Sequence, residues 1–241
     1  MDFSNAPTPQ PMPDSDYVLS VRQVKATPQA GGTYGIAIIT SRGTINGVLH
    51  AAEDQPGAII WGSRYNPFGG GPAEGVYKEV ADHLVSKGIS SLRLFYRMPG
   101  AEPGPFEECV LDVLGGVSFL RAIGVKAIGV VGHSFSGAVV IKAATLSPHI
   151  SAVVALSSQL YGAKQVDQVA PRPILLAHGT EDTVLEYRSS ELLYEHAGEP
   201  KELVMYPGAS HGLLECREPL REKLEHWLEA YLSPNALARR N

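Results

Sequence analysis

Short, mostly apolar runs alternate with longer amphipathic stretches along most of this chain. The short runs end in turn residues, which is the pattern of strands buried on both faces of a sheet. They lie at residues 58–61, 91–96, 127–131, 152–156, 173–177 and 202–206. The amphipathic stretches, which have helical spacing, lie at residues 73–87, 106–122, 135–146 and 215–231. This alternation predicts an α/β fold with a mostly parallel central sheet and helices on both faces.

The N-terminal part of the chain has a different pattern. Residues 17–25, 34–40 and 44–50 are rich in β-branched residues and are separated by glycine-containing turns. This composition predicts antiparallel strands ahead of the parallel section. The short Ser41-Arg42-Gly43 link favours a hairpin between the second and third of them.

Composition and charge restrict the domain count and the class of partner. Residues 1–16 alternate proline with small polar residues, which predicts a flexible Pro-rich arm. With 241 residues, 44% of them hydrophobic, we expect a single domain at residues 17–241. The net charge of −5 without a Lys/Arg cluster favours neither nucleic acid nor an anionic membrane as a partner. No apolar run is long enough to span a bilayer and the N-terminus lacks a signal pattern, so we expect a cytoplasmic protein.

The most informative chemistry lies where the strand at residues 127–131 turns into the next helix. The sequence there is Gly132-His133-Ser134-Phe135-Ser136-Gly137-Ala138. A sharp strand-to-helix turn displays a nucleophile when the residues two positions away are small, as in the pattern Gly-x-Ser-x-Gly. Gly132 fits this pattern, and Ser136 departs from it although serine is also small. Ser134 is therefore the candidate nucleophile, and the backbone N–H of Phe135 is a candidate donor to an oxyanion.

An acid and a histidine follow Ser134 in the order that such a catalytic arrangement requires. Asp182 lies in the loop after the strand at residues 173–177, and His211 lies in the loop after the strand at residues 202–206. A serine hydroxyl needs a base to accept its proton, and His211 is the candidate. Asp182 would orient the imidazole and stabilise its protonated form. Loops that follow parallel strands meet at one edge of the sheet, so we expect the three side chains to converge.

Each assignment has an alternative. Ser134 could serve only as a helix cap, Ser136 could be the nucleophile, and Glu181 could replace Asp182 as the acid. We expect the side chain of His133 to point away from that of Ser134, and His178 to pack or hydrogen-bond locally. The two cysteines, Cys109 and Cys216, have no metal-ligand spacing and are predicted to be reduced thiols in or near the core.

The run from Gly132 to Ala138 resembles the nucleophile elbow of the α/β-hydrolase superfamily. It is similar to the phrase Gly-His-Ser-Phe-Gly-Gly-Ala of the compact dienelactone hydrolase and prolyl-oligopeptidase-like branches, from which it differs at Ser136. Dienelactone hydrolases proper carry cysteine at the position of Ser134. The resemblance implies an α/β-hydrolase fold, and residues 157–171 are too few for the helical cap of larger relatives. It also implies a second oxyanion donor after an early strand, where Ser63 occupies the expected position and Arg64 is the neighbouring alternative.

These observations predict a serine hydrolase that cleaves a carboxylic ester of a small molecule through an acyl-serine intermediate. A peptidase or an acyltransferase would use the same triad, and a non-catalytic binding protein could retain the fold. The chemistry requires neither metal nor organic cofactor. Four residues near the predicted site could bind substrate, namely Arg64, Tyr65, Arg97 and Tyr161. A structural salt bridge is the alternative role for Arg97.

The glycine-rich segment Gly69-Gly70-Gly71-Pro72 lacks the residue spacing of a phosphate-binding loop. We therefore interpret it as a flexible loop on the active-site side.

Overall fold

The computed structural model describes residues 18–53, 56–63, 70–97 and 105–239. Within these residues, nine strands form one sheet. They are β1 (Val21–Pro28), β2 (Thr33–Thr40), β3 (Gly43–His50), β4 (Gly57–Ser63), β5 (Ile89–Phe95), β6 (Ala127–His133), β7 (Ile150–Leu156), β8 (Ile174–Gly179) and β9 (Lys201–Tyr206). The expected arm at residues 1–16 and the candidates Arg64 and Tyr65 lie outside the described residues.

The strands lie side by side in the order β1-β2-β3-β5-β4-β6-β7-β8-β9. Three neighbouring pairs are antiparallel, namely β1 with β2, β2 with β3, and β3 with β5. β2 and β3 form the expected hairpin, with Thr40 opposite Gly43. All pairs from β5 through β4 to β9 are parallel. The prediction of a mostly parallel sheet with antiparallel N-terminal strands is therefore confirmed.

Helices cover both faces of the sheet, as expected. They are α1 (Pro72–Ser86), α2 (Phe106–Ala122), α3 (Phe135–Leu146), α4 (Arg188–His196), α5 (Arg217–Leu232) and α6 (Pro234–Ala238). Apolar residues of α2 and α3 pack on one face, and those of α1 and α5 pack on the other. The central strands β4 and β6 lie between these two cores, which explains why their sequences are almost continuously apolar.

The carboxyl ends of the parallel strands meet at one edge. Gly62 of β4 pairs with Gly132 of β6, so Ser63 and the turn after β6 lie next to each other along the sheet. On the other side of β6, His133 pairs with Leu156 at the end of β7. The loops after β8 and β9 leave from the same edge, since Gly179 pairs with Tyr206. This edge is where ligands bind in open parallel sheets.

Some elements differ from the expectation. β1 begins at Val21 and extends to Pro28, three residues beyond the predicted end. The short helices α4 and α6 were not predicted. The connection between β7 and β8 contains only a short 3-10 helix, Val166–Val169, so no cap is inserted there. The predicted absence of a sizeable cap is confirmed.

Candidate active site

Ser134 is the single residue between the end of β6 and the start of α3. Its φ of 58° and ψ of −122° lie in a region that residues with a side chain rarely occupy, at a cost of about 1–3 kcal/mol. Two backbone hydrogen bonds hold this conformation. The Ser134 N–H donates to the Leu156 carbonyl at 2.8 Å, and the Ser134 carbonyl accepts from the Gly137 N–H at 3.0 Å. The turn therefore displays one side chain at the ligand-binding edge.

The two flanking positions of the elbow have different steric demands. A Cβ placed on Gly132 would lie 2.1 Å from the carbonyl oxygen of Ser136, so only glycine fits there. The Ser136 side chain instead points into the core, next to the phenol of Tyr96. Burial raises the pKa of Tyr96, and the Ser136 hydroxyl acts in the opposite direction. The serine at the second flank is thus buried in the first turn of α3.

The three candidate catalytic side chains converge as predicted. The Ser134 Oγ lies 2.9 Å from the His211 Nε2, and the His211 Nδ1 lies 2.7 Å from the Asp182 Oδ2. Because an ionised carboxylate only accepts, Nδ1 carries the proton and Nε2 is left to accept from the Ser134 hydroxyl. Glu181, the alternative acid, is exposed, and Ser136 lies inside α3. The geometry favours Ser134 and Asp182 over these alternatives.

Asp182 is held as an anion by a dense set of donors. Its Oδ1 accepts from the N–H groups of Val184 and Leu185, both at 2.8 Å. Its Oδ2 accepts from His211 and from the Nε2 of His178, at 3.0 Å. Burial raises the pKa of Asp182, but the hydrogen bonds from Leu185, His211 and Val184 outweigh burial and hold this pKa below its ordinary value.

The loop that carries His211 is anchored to two other elements. The Nε2 of His133 lies 2.8 Å from the His211 carbonyl, and the two rings pack with their centroids 4.8 Å apart. Burial lowers the pKa of His133 to about 4, so the ring is neutral and its Nε2–H donates to that carbonyl. The Gly212 carbonyl accepts from the Ala73 N–H at the start of α1, at 2.7 Å. The sequence offered no signal for these contacts, which join residues far apart in the chain.

The two candidate oxyanion donors lie on the elements that the prediction required. Phe135 is the first residue of α3, where backbone N–H groups have no carbonyl partner within the helix. Ser63 ends β4, beside the strand that carries the elbow, and its carbonyl accepts from the Tyr96 N–H at 3.0 Å. Arg64 lies outside the described residues. The assignment of Phe135 and Ser63 as donors stays a prediction.

Comparison with known sequences gives partial matches. Residues 163–219 match the family model "Serine aminopeptidase, S33", a segment that contains Asp182 and His211 but not Ser134. The uncharacterized protein YfhR of Salmonella typhi is 30% identical over 110 residues. That alignment spans 41% of this chain and 37% of the relative, so the chain matches well under half of the relative's length.

Comparison with solved structures extends over most of the chain. Dienelactone hydrolase from Anabaena variabilis matches with a TM-score of 0.71 at 19% identity, over 88% of this chain and 100% of that one. The chain has the α/β-hydrolase fold. XC6422 from Xanthomonas campestris, described as an α/β serine hydrolase without lid, matches with a TM-score of 0.67 at 19% identity, over 86% and 98%. The predicted resemblance to this superfamily is confirmed at the level of the fold.

Two of the candidate substrate-binding residues can be placed within this α/β-hydrolase fold. The guanidinium of Arg97 bonds the buried carboxylate of Asp112, the Glu108 carboxylate and the Arg42 carbonyl. These contacts favour the salt-bridge alternative for Arg97. Tyr161 is 48% exposed and packs edge-to-face on Phe106, with ring centroids 6.0 Å apart. Phe106 packs in turn on Phe135, so Tyr161 lies on an aromatic row that starts beside the nucleophile.

A cavity of about 390 Å³ lies between the loop after β7 and helix α4 of this hydrolase fold. Leucine side chains form its apolar part and glutamates lie among its polar residues; the lining includes Leu160, Leu185, Leu192, Glu186 and Glu195. One of its lining residues, Leu185, donates its N–H to Asp182, whereas Ser134, Asp182 and His211 are not among the lining residues.

The described part of the chain contains neither a candidate bilayer span nor a candidate metal-binding cluster. None of its helices combines the length and apolar composition that a bilayer span requires. Within the same residues, no cluster of three or more His, Cys, Asp and Glu side chains is arranged to hold a metal ion. Cys109 and Cys216 are both buried.

Proposed function

We propose that this protein is a serine hydrolase that cleaves a carboxylic ester of a small molecule through an acyl-serine intermediate. The observation that carries the proposal is the continuous Ser134–His211–Asp182 chain, with contacts of 2.9 and 2.7 Å, at the carboxyl edge of the sheet. The strained backbone of Ser134 supports it, because such strain concentrates at functional sites. The similarity in fold to dienelactone hydrolase, whose name denotes cleavage of a cyclic ester, adds support for ester substrates.

In the proposed reaction, Ser134 attacks the ester carbonyl while its proton moves to the His211 Nε2. Asp182 stabilises the imidazolium that forms, and the N–H groups of Phe135 and Ser63 bind the negative oxygen of the tetrahedral intermediate. His211 then protonates the departing alkoxide, which leaves an acyl-Ser134. A water molecule then attacks the acyl carbonyl while its proton moves to the His211 Nε2. His211 returns that proton to the Ser134 oxygen as the bond between the acyl group and this oxygen breaks and the acid leaves.

The site geometry favours a small substrate. The connection between β7 and β8 supplies no cap that could enclose a long acyl chain. We therefore expect short-chain esters to be better substrates than long-chain ones.

A second candidate is a peptidase that acts on aminoacyl bonds with the same triad. The match of residues 163–219 to a serine aminopeptidase family model favours it. A panel of p-nitrophenyl esters, thioesters and aminoacyl amides separates the two candidates by the ratio of their kcat/KM values.

A fluorophosphonate probe tests whether Ser134 is a nucleophile at all. We expect stoichiometric labelling of the wild type and no labelling of Ser134→Ala. Ser136→Ala is the matched control, since it removes a neighbouring hydroxyl that does not contact His211, and we expect it to be labelled. Equal labelling of wild type and Ser134→Ala would show that another residue is the reactive nucleophile. No labelling of the wild type would leave a binding protein as the better description.

A further inference from the structure

His178 is a buried histidine that contacts the triad acid. It lies on β8, one residue before the strand ends, and its side chain is fully buried. Its Nε2 lies 3.0 Å from the Asp182 Oδ2 and 3.0 Å from the Leu185 carbonyl oxygen. Its Nδ1 lies 2.7 Å from the hydroxyl of Ser190 on α4. Every polar atom of this ring therefore has a partner.

These partners determine the protonation state of His178. The carboxylate and the carbonyl can only accept, so Nε2 carries the proton. The Ser190 hydroxyl donates to Nδ1, which carries none. Burial lowers the pKa of His178, and the Leu185 carbonyl and Asp182 offset burial only in part. The ring is consequently a neutral donor with a fixed tautomer.

His178 and His211 donate to the same carboxylate oxygen. The Asp182 Oδ2 lies 2.7 Å from the His211 Nδ1 and 3.0 Å from the His178 Nε2. We propose that His178 is a positioning residue of the reaction, which fixes the Asp182 carboxylate and reduces the negative charge that His211 experiences. This role rests on the proposed function, in which His211 is the base.

The arrangement has a consequence for the working pH range. A donor on Oδ2 weakens the attraction between the Asp182 carboxylate and the positive charge that develops on the His211 ring. The groups that face His211 are Asp182, the Ser134 hydroxyl and the neutral ring of His133. His178 also has an electrostatic effect on His133, and His211 has one on His178. Removing the His178 donor should therefore move the acid limb of the activity profile to higher pH.

Two substitutions separate positioning from packing. In His178→Gln the amide nitrogen reaches the place of Nε2 and can still donate to Asp182, whereas in His178→Asn the shorter amide reaches only the place of Nδ1. We expect His178→Gln to keep the midpoint of the acid limb and a kcat/KM within about threefold of the wild type. We expect His178→Asn to raise that midpoint by about half a pH unit and to lower kcat/KM about tenfold. A wild-type midpoint in His178→Asn, or equal midpoints in both variants, overturns the proposal.

A measurement independent of turnover distinguishes this proposal from the proposed function. Nitrogen-15 NMR of the imidazole rings reports the tautomer of His178 and the titration midpoint of His211 directly. We expect a neutral, Nε2-protonated His178 at pH 7, and the same upward shift of the His211 midpoint in His178→Asn. If the wild type cleaves no ester and takes up no fluorophosphonate, the proposed function fails, and the NMR midpoints still decide the role of His178. A charged or Nδ1-protonated His178 in the wild type overturns the proposal even if neither variant folds.

Discussion

Gly132→Ala is the sharpest test of the elbow, because the added methyl would meet only backbone. The Cβ would lie 2.1 Å from the Ser136 carbonyl oxygen, 2.4 Å from its carbon and 2.8 Å from the Gly137 nitrogen. No side chain can rotate to make room, so the start of α3 must move by roughly 1 Å to restore van der Waals contact. This motion displaces Ser134 and the Phe135 N–H together. A displacement of about 1 Å at a reacting group lowers the rate about 100-fold.

The same clash destabilises the fold. Overpacking of this kind lowers the free energy of unfolding by about 1–3 kcal/mol. A loss near the middle of that range, about 2 kcal/mol, lowers the melting temperature by roughly 4–8 °C. The assay pairs kcat/KM on p-nitrophenyl acetate with thermal unfolding by circular dichroism. Gly212→Ala is the matched control for stability, because a Cβ there would have no neighbour within 4 Å. A Gly132→Ala variant with wild-type kcat/KM and melting temperature would refute the steric account of the elbow.

Three further predictions test other parts of the site. Asp182→Asn should lower kcat by about 10³–10⁴-fold with little change in KM, because an amide cannot fix the His211 tautomer; a tenfold loss or less would contradict its role as the triad acid. The pKa of His133 is about 4 in the folded protein and 6.5 in the unfolded chain, so the unfolded chain binds more protons between pH 7 and pH 5. Through His133 alone, the free energy of unfolding should therefore fall by at most about 2 kcal/mol between pH 7 and pH 5. Urea titrations at both pH values measure this loss, and His133→Gln should flatten it. Arg97→Ala should destabilise the protein by about 3–5 kcal/mol, because the buried Asp112 carboxylate loses its partner. We expect kcat/KM for neutral esters to stay unchanged. A selective rise in KM for anionic substrates would instead support a substrate-binding role for Arg97.

The convergence of Ser134, Asp182 and His211 could be predicted from sequence because a local pattern marks the position of each. Ser134 follows a strand that is buried on both faces, and such a strand is a continuous apolar run that periodicity recognises. Asp182 and His211 follow strands of the same kind, and parallel strands deliver their following loops to one edge whatever the details of packing. The order of the three residues was therefore sufficient to predict their convergence, although the distances between them required the structure.

The two unpredicted helices differ in the signals they carry. α6 begins at Pro234, and the hydroxyl of the preceding residue, Ser233, accepts from the Ala236 N–H at 3.3 Å. A serine cap followed by proline is a start signal that sequence reasoning could have used. α4 begins after Tyr187, which makes no side-chain capping bond, so nothing local marks its start. Its position is set instead by tertiary contacts, among them the bond from Ser190 to His178.

His178 shows where local reasoning about the site ends. Local hydrogen bonding was expected of it, and its bond to Asp182 does span only four residues. The proposed role of that bond depends on two other contacts. Asp182 also accepts from His211, which lies in the loop after a different strand. Ser190 fixes the tautomer of His178, and it lies on α4, a helix whose start no local sequence signal marks. A His-Gly-x-x-Asp spacing after a buried strand is the signal that links the two residues. This spacing indicates a positioning role for His178 only once Asp182 is known to accept a hydrogen bond from a second histidine as well. A lone histidine beside a loop carboxylate is more often structural.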